Sequence, residues 1–318
     1  MKKSQPVTLS ILRYDSSSGG LPRYASYTVT PKNHETLLDT LETVKEKFDA
    51  SLGYRRSCRH GICGSCAVRV NGMPVLACKT GTLDLVRQFG AELIVDPVDK
   101  RRVVRDLIID MDDFWDKYTG IQPYLVEIDE PPAPEGLLIG PDQADGMGNA
   151  ELCIQCGACY AVCPVIGVNG RFYGPAALTK AYRFASDVRD FSARRLFVAN
   201  SPVTGVWDCA KCLLCIEACP KEINPFEKIT RLHELAMNRK LSENHEGSRH
   251  VRVFRNQVRS RGYINEFFLA LFTLRAKMSE IIPRGIRLFI KGKLHINYLF
   301  PRTVKRFELR NIFRGSRR

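Results

Sequence analysis

Two stretches of this 318-residue sequence repeat the same cysteine spacing. The stretch CIQCGACYAVCP covers residues 153–164, and CAKCLLCIEACP covers residues 209–220. In each stretch the four cysteines are separated by two, two and three residues, and a proline follows the last one. Cysteine runs of this kind hold metal centres through their thiolates. The repeat therefore indicates two related halves that each contribute to a bound cluster.

The spacing within each run is that of bacterial ferredoxins, in which the fourth cysteine of a run binds the other cluster. This pattern predicts two sets of ligands that cross between the runs. The set for one 4Fe–4S cluster is Cys153, Cys156, Cys159 and Cys219. The set for the other cluster is Cys163, Cys209, Cys212 and Cys215. Two zinc sites would also use eight cysteines, which is the alternative.

The remaining four cysteines follow a different spacing, of four, two and then eleven residues. They are Cys58, Cys63, Cys66 and Cys78. This is the plant-type ferredoxin pattern for a 2Fe–2S cluster. Gly61 and Gly64 suit a loop that must take unusual backbone angles and present N–H groups to a cluster. A zinc knuckle is the alternative, although three of these ligands share one loop. Since four cysteines close the site, we expect His60 to have a surface or interface role rather than to be a ligand.

Composition and motifs exclude several classes of protein. The apolar fraction of 44% and the charged fraction of 26% are ordinary for a soluble protein. No apolar run approaches the roughly 20 residues of a membrane helix, and no apolar segment of a secretory signal follows Met1. No G-x-G-x-x-G follows a strand-like segment, and no P-loop is present. We therefore expect an electron carrier without catalytic residues of its own.

The apolar periodicity predicts an α+β chain. Residues 1–105 alternate as strands in PVTLSILRY, YASYTVT, CAVRV and AELIVDPV, with one helix in TLLDTLETVKEKFDA. A connector over 106–148 contains Pro131, Pro132, Pro134 and Pro141 and is expected to be an extended strap. Residues 149–240 are predicted to be helical, with GPAALTKAYRFASD and NPFEKITRLHELAMNRK as the clearest helices. The last segment is 241–318.

The positive charge is concentrated at the C-terminal end. The net charge is +14, and residues 239–318 contain 20 Lys and Arg against 5 Asp and Glu. Amphipathic helical pieces are expected here, with a break at Pro283. One interpretation is docking onto an acidic partner or an anionic membrane surface. The alternative is a solvated extension whose apolar residues pack on the chain's own helices. Nucleic-acid binding is not expected, because no binding motif accompanies the charge.

Five motifs together resemble the iron–sulfur subunit of succinate dehydrogenase and fumarate reductase. They are YRRSCRHGICGSC, DLIIDMDDFW, CIQCGACYAVCP, GPAALTKAYRF and CIEACPKEINP, and the resemblance covers roughly residues 5–238. It implies an N-terminal plant-type ferredoxin (β-grasp) domain and an all-α bacterial-type ferredoxin domain. It also implies a flavoprotein partner with covalent FAD, from which electrons pass through the clusters to a membrane subunit and quinone, or in reverse.

Three features depart from the usual pattern of this family. Cys212 occupies a position where the family usually has another residue and a 3Fe–4S cluster, so we expect 4Fe–4S here, with 3Fe–4S as the alternative. The segment VIGVN at 165–169 and Ala210 replace aromatic and histidine positions of quinone-reducing relatives. The basic tail is absent from the common form. All three resemble the non-classical complexes, which include methylmenaquinol:fumarate reductases and use a subunit rich in Cys-Cys-Gly motifs.

The competing hypotheses concern where the chain works and with what. The first is a fixed subunit, peripheral on the cytoplasmic side of the membrane, or on the periplasmic side through export with a twin-arginine partner. The second is a stand-alone multi-cluster ferredoxin between soluble enzymes. The third is a zinc-binding scaffold or a nucleic-acid-binding protein, which would be colourless, whereas an iron–sulfur protein is brown.

Overall fold

The fold is described from a computed structural model, in which residues 5–126, 138–190, 192, 205–238 and 246–293 are described. The chain divides into two compact units, Met1–Glu234 and Leu235–Arg318, which we call the N-terminal and C-terminal units. The connector expected to be an extended strap over 106–148 contains a helix at Asp112–Gly120 and a short helix, Pro141–Asp145, that Pro141 begins, whereas Pro131, Pro132 and Pro134 lie outside the described residues.

A five-stranded mixed sheet forms the first part of the N-terminal unit. Its strands are β1 (Val7–Arg13), β2 (Arg23–Val29), β3 (Ala67–Val70), β4 (Met73–Leu76) and β5 (Glu92–Pro97). The order across the sheet is β2-β1-β5-β3-β4, in which β1 and β5 are parallel and the other pairs are antiparallel. A two-stranded sheet of β6 (Val103–Arg105) and β7 (Ile108–Ile109) follows.

Alternation along β1 separates the core from the outer face of the sheet. Val7, Leu9 and Ile11 are fully buried. Between them, Thr8 and Ser10 face side chains of β2 at hydrogen-bond distance. Side chains alternate between the two faces of a strand, so Val7, Leu9 and Ile11 all point to the same, buried face of the sheet. The sequence prediction of a strand in this segment is confirmed.

Two helices cover the buried face of the sheet, α1 (Leu37–Lys47) and α2 (Thr82–Phe89). Thr36 begins α1 with a capping box: its Oγ1 accepts from the N–H of Asp39, and Asp39 Oδ2 accepts from the N–H of Thr36. These two bonds satisfy N–H groups that have no partner within the helix. The cap fixes where α1 begins and so directs its buried leucines toward the sheet.

The later part of the N-terminal unit is built from short helices around the two cysteine runs. Its helices are α3 (Asp112–Gly120), α4 (Pro141–Asp145), α5 (Ala158–Ala161), α6 (Pro164–Val168), α7 (Gly174–Ala185), α8 (Leu214–Glu217) and α9 (Pro225–Asn238), and α9 continues past the unit boundary. Two 3₁₀ turns, Ala150–Leu152 and Val206–Asp208, precede the cysteine runs. None of the residues described within 138–238 forms a strand.

A buried carboxylate, that of Asp187, pairs with two arginines at the C-terminal end of α7. Asp187 accepts hydrogen bonds from Arg183 at 2.6 Å and from Arg189 at 2.7 Å. The hydrogen bonds from these two guanidinium groups hold the pKa of Asp187 well below its usual range. The carboxylate is therefore charged and paired at neutral pH.

The C-terminal unit contains α10 (Glu246–Arg261), α11 (Glu266–Leu274), a 3₁₀ turn (Arg275–Lys277) and α12 (Met278–Ile290). Buried polar groups join α10 to α11: Gln257 Oε1 accepts from the N–H of Asn265 at 2.7 Å, and Arg249 donates to the carbonyl of Thr273. No described helix of the chain is both long enough and apolar enough to span a membrane.

The expected break at Pro283 is wrong, because α12 runs through this residue. Proline lacks the N–H that would bond to the carbonyl of Ser279, so the helix loses one hydrogen bond there. Pro283 is only the sixth residue of the helix, and the backbone continues in helical conformation to Ile290. The C-terminal segment therefore contains one continuous amphipathic helix across this proline rather than two pieces.

Candidate iron–sulfur sites

The first cysteine group lies on the loop that precedes β3 and just after β4. Cys66 and Cys78 are buried, Cys58 is half-buried and Cys63 is exposed. Backbone N–H groups of His60, Ile62 and Cys63 donate to Cys58 Sγ at 3.3 to 3.4 Å. The structure therefore surrounds this sulfur with donors that favour a thiolate.

Backbone N–H donors and burial shift the pKa of these thiols in opposite directions. The N–H groups of His60, Ile62 and Cys63 lower the pKa of Cys58 to about 6. Burial raises the pKa of Cys66 to about 12. A positively charged iron centre offsets the cost of burying a thiolate, because metal binding deprotonates a coordinating thiol. The donor set and the burial both fit an iron–sulfur cluster at this loop.

Left-handed backbone conformations give the first loop its shape. Arg59, Gly61 and Gly64 have φ values of 59°, 70° and 71°. Gly61 also donates its N–H to Cys78 Sγ at 3.2 Å, so the turn at this glycine points a donor at the fourth sulfur of the group. Exposed His60 lies between Arg59 and Gly61 on the outer surface of this turn.

The two later cysteine runs repeat one backbone conformation as well as one spacing. Gln155 and Lys211 occupy equivalent positions and have φ values of 51° and 55°. Gly157 and Leu213 are also equivalent, with φ values of 78° and 66°. In each run a short helix begins directly after this second left-handed residue. The sequence repeat is therefore a structural repeat of the loop that wraps around a site.

Each of the two predicted crossed sets of cysteines lines one cavity. The first cavity has an empty volume of about 380 Å³, including space open to solvent; its lining includes Cys153, Cys156, Cys159 and Cys219. The second has about 340 Å³ on the same measure; its lining includes Cys163, Cys209, Cys212 and Cys215. Thus the last cysteine of each run lies on the cavity formed mainly by the other run.

Two helices contribute to both cavities. In α7, Ala176 and Thr179 line the first cavity, and Pro175 lines the second. In α9, Pro225 lines the first cavity, and Phe226 and Ile229 line the second. The two cavities therefore lie side by side between the same helices. Most of the side chains that these helices contribute to the two cavities are apolar.

Burial raises the pKa of Cys156 and of Cys215 to about 12, one thiol on each cavity. Thiols that are hard to ionise alone become good ligands when a bound metal centre supplies positive charge. Within the described ranges, no three His, Cys, Asp or Glu side chains form a group that could hold a metal ion. The four cysteines of each set instead line one cavity, and thiol groups around a shared cavity fit a cluster of several irons.

The loop of the first cysteine group touches the first cysteine run directly. A Cβ atom placed on Gly64 would lie 2.6 Å from the carbonyl oxygen of Ile154 and 2.9 Å from Cα of Cys156. Only glycine allows the two backbones to approach this closely. Gly64 lies between two cysteines of the first group, and Cys156 lines the first cavity, so the first two candidate sites are in contact.

A polar network fixes the first cysteine run to the connector helix α3. Lys117 Nζ donates to the hydroxyl of Tyr160 at 2.8 Å and to Asp113 at 2.9 Å. Tyr160 in turn donates to Asp113, which also pairs with Arg102 at 2.6 Å. Because Tyr160 follows Cys159 in the chain, the network holds the wall of the first cavity against the preceding domain.

Sequence reasoning missed two features of these sites, the close approach at Gly64 and the pair of Trp207 and His233. The rings of this pair lie 4.6 Å apart, and His233 Nε2 is 3.0 Å from the carbonyl of Val206. Burial, together with the charge of Lys211, lowers the pKa of His233 to about 4. This neutral histidine supports the turn that precedes the second run, and nothing in its sequence spacing indicated that position.

The segment 165–169 and Ala210, where the family resemblance leads us to expect aromatic and histidine residues in quinone-reducing relatives, lie partly on the surface. Val168 is 91% exposed, whereas Ile166 is buried. Ala210 is exposed beside the second cavity. Asn169 donates to Asp208 at 3.1 Å, which joins the end of α6 to the turn before the second run. These side chains therefore form a small polar and aliphatic surface next to the second cavity.

Comparison with known proteins places the chain in a family. The family model described as a 2Fe–2S iron–sulfur cluster binding domain matches residues 8–116, and that described as a 4Fe–4S dicluster domain matches residues 149–223. These matches define an iron–sulfur protein with two cluster-binding domains, in the same order as the cysteine groups.

Similar proteins refine this class. A fumarate reductase iron–sulfur subunit from Haemophilus influenzae is 36% identical over 244 residues, which cover 73% of this chain and 93% of that protein. One from Escherichia coli O6:H1 is 35% identical over 230 residues, which cover 72% and 92%. The chain belongs to the family of fumarate reductase iron–sulfur subunits. A chain of the Mycobacterium smegmatis Sdh1 complex shares the fold, with a TM-score of 0.66 at 24% identity over 75% of this chain and 98% of that one.

Proposed function

We propose that this chain is the electron-transfer subunit of a succinate dehydrogenase or fumarate reductase complex. It relays single electrons between the FAD of a flavoprotein subunit and a membrane-associated, quinone-reactive subunit. The observation that carries the proposal is the contiguity of the three cysteine groups. The first loop abuts the first cavity at Gly64, and the two cavities share helices α7 and α9.

The chain's own residues would hold the clusters that form the electron-transfer path. Iron–sulfur clusters, when bound, accept and release single electrons at potentials set by hydrogen bonds and solvent exposure. Backbone N–H groups at Cys58 and Cys78 stabilise their thiolates, and side chains of α7 and α9, most of them apolar, line the other two sites. The fixed contact at Gly64 sets the distance between the first two sites.

The finer assignment of folds and ligands is part of the proposal. We assign a plant-type (β-grasp) fold to the first domain and an all-α bacterial-type ferredoxin fold to the second. The first group of four cysteines would hold 2Fe–2S, and the group on the first cavity would hold 4Fe–4S. The N–H donors to Cys58 and Cys78 support the first assignment, and the lining of the first cavity by four cysteines supports the second.

The third cluster is proposed to be 4Fe–4S, because Cys212 supplies a fourth sulfur to the second cavity. An oxidised 3Fe–4S cluster is paramagnetic, whereas an oxidised 4Fe–4S cluster is not. Electron paramagnetic resonance of intact, anaerobically prepared protein should therefore lack a strong 3Fe signal, and Cys212→Ser should produce one. A strong 3Fe signal in the wild type would contradict the assignment.

The partners and location follow from the same proposal. Val168 and Ala210 are exposed aliphatic residues at places where the family resemblance leads us to expect aromatic and histidine residues in quinone-reducing relatives, which supports quinone binding by another subunit. We propose that this subunit is membrane-associated and rich in Cys-Cys-Gly motifs. The chain would be peripheral on the cytoplasmic side, with the periplasmic side, reached by export with a twin-arginine partner, as the alternative.

Gentle purification of the tagged chain from native membranes tests the proposal. Mass spectrometry should identify a flavoprotein and a membrane-associated subunit in amounts comparable to the chain. Recovery of the brown chain alone, under conditions that preserve known complexes of this family, would contradict a fixed place in a complex and favour a free ferredoxin.

A further inference from the structure

Helix α12 of the C-terminal unit has two faces of different chemistry. At about 100° per residue, Ile282, Ile286, Phe289 and Ile290 fall within an arc of about 100°. Arg284, Arg287 and Lys291 fall within an arc of about 60° on the opposite side. We call these the apolar face and the basic face of α12.

The apolar face is open in the structure. Ile286 is 54% exposed, Phe289 is 55% exposed and Ile290 is 78% exposed. A 13-residue helix that contains a proline and a glycine gains little from propensity alone. An amphipathic helix is stabilised in water mainly by burying its apolar face. Among the described residues, nothing covers these side chains, so a surface beyond the described residues would stabilise the helix.

The charge of the region selects the kind of surface. Residues 278–293 contain four basic residues and one acidic residue, Glu280, within a C-terminal segment that is strongly basic overall. The neighbouring helix α11 also exposes two aromatic side chains, Phe267 and Phe272. Bulky apolar residues on one face with Lys and Arg on the other are typical of helices that lie in the interface of an anionic membrane.

We propose that the α12 apolar face inserts into the headgroup region of an anionic lipid bilayer, with the basic face at the lipid phosphates. Lipid suits this face because its four large side chains, Ile282, Ile286, Phe289 and Ile290, offer no hydrogen-bonding group to specify a protein partner, and the polar residue of α12 in the same arc is the small Ser279 at the start of the helix. Apolar burial and electrostatic attraction would act together, which is the combination that gives stable interfacial binding. The chain would then bind membranes itself, independently of the subunit that accepts its electrons.

Vesicle sedimentation with the purified full chain tests this inference. The wild type should bind phosphatidylcholine vesicles that contain phosphatidylglycerol, and it should bind pure phosphatidylcholine vesicles far less. Arg284→Gln with Arg287→Gln should weaken binding about thirtyfold, since each basic residue near an anionic surface contributes about a factor of five. The paired control is Arg55→Gln with Arg87→Gln, two exposed arginines of the N-terminal unit.

The apolar face is tested by a second pair of variants. Ile286→Asp with Phe289→Asp should abolish binding to both kinds of vesicle, whereas Leu21→Asp, at a residue that is 89% exposed, should leave it unchanged. Circular dichroism and visible absorption confirm that each variant is folded. If the aspartates unfold α12, the glutamine variants still decide the question.

Two results would overturn the inference. One is wild-type protein that ignores both kinds of vesicle, or that binds them unaffected by either set of face variants. The other is evidence that the apolar face of α12 binds a protein subunit instead of lipid. In that case the face variants would lose a co-purifying subunit from the complex, and the purified wild type would not sediment with vesicles.

Discussion

Replacing Gly64 with alanine should separate the first two candidate sites. Gly64 has a φ of 71°, and a Cβ there would be 2.6 Å from the carbonyl oxygen of Ile154. Ordinary contact begins near 3.4 Å, so the two loops must move apart by about 0.8 Å. The nearest atoms of both neighbours belong to the backbone, and no side chain can rotate away to make room.

The cost of this substitution has two parts that a control separates. A non-glycine residue in the left-handed region costs about 1–2 kcal/mol. Forcing an extra carbon into a close contact costs about 1–3 kcal/mol more. Gly72→Ala is the control, because Gly72 has a φ of 86° and a Cβ added there would have nothing within 4 Å. Gly72→Ala therefore measures the backbone part alone.

The assay compares thermal unfolding of the two variants in the full, cluster-loaded chain. For a unit of this size, 1 kcal/mol shifts the midpoint by about 2–4 °C. The contact part alone, at about 1–3 kcal/mol, should therefore lower the Gly64→Ala midpoint about 2–12 °C below that of Gly72→Ala. Rapid reduction kinetics should also show slower electron flow beyond the first centre in Gly64→Ala only. Equal midpoints and equal kinetics would refute the close approach of the two loops.

Three further predictions concern stability. Leu213→Gly should unfold at a higher midpoint than Leu213→Ala, because both variants lose the leucine side chain and only glycine relieves the left-handed strain of about 1–2 kcal/mol, which exceeds its extra unfolded-chain entropy of about 0.4–1 kcal/mol; a midpoint below that of Leu213→Ala would contradict this. Thr36→Ala should lower the free energy of unfolding by about 1 kcal/mol through loss of the cap of α1. Thr28→Ala, on the exposed side of β2, should lower it less, and denaturant titration measures both. Asp187→Asn should have a lower free energy of unfolding than the wild type at pH 7. This difference should shrink as the pH falls below about 3.9, the pKa of an aspartate in the unfolded chain, because the paired carboxylate stabilises the fold only while it is ionised. A deficit that does not change with pH would contradict the pairing with its two arginines.

Much of the sheet could be predicted from the sequence because its signals are local. The alternation of Val7, Leu9 and Ile11 defines β1. Strand β4 was not predicted, since it is four residues long and contains Pro74. A proline is tolerated there because β4 is at the edge of the sheet. Short edge strands form by pairing with a neighbour, which no local pattern reveals.

The candidate sites were predictable to the extent that spacing encodes them. The repeated run predicts which cysteines belong together, because the first three cysteines of a ferredoxin run bind one cluster and the fourth binds the neighbouring cluster. That these cysteines ligate clusters stays a prediction. The approach of Gly64 to Cys156 and the position of His233 depend on packing between distant segments. Such contacts have no signature in the spacing of a single sequence.

The most direct test of electron transfer is the visible absorption of the co-purified complex under anaerobic conditions. Succinate should bleach the iron–sulfur absorption of the chain, and fumarate should restore it in the reduced complex, because both act through the flavoprotein. Dithionite, which reduces the centres directly, serves as the control. Bleaching by dithionite with no response to either succinate or fumarate would contradict the proposed role of the chain.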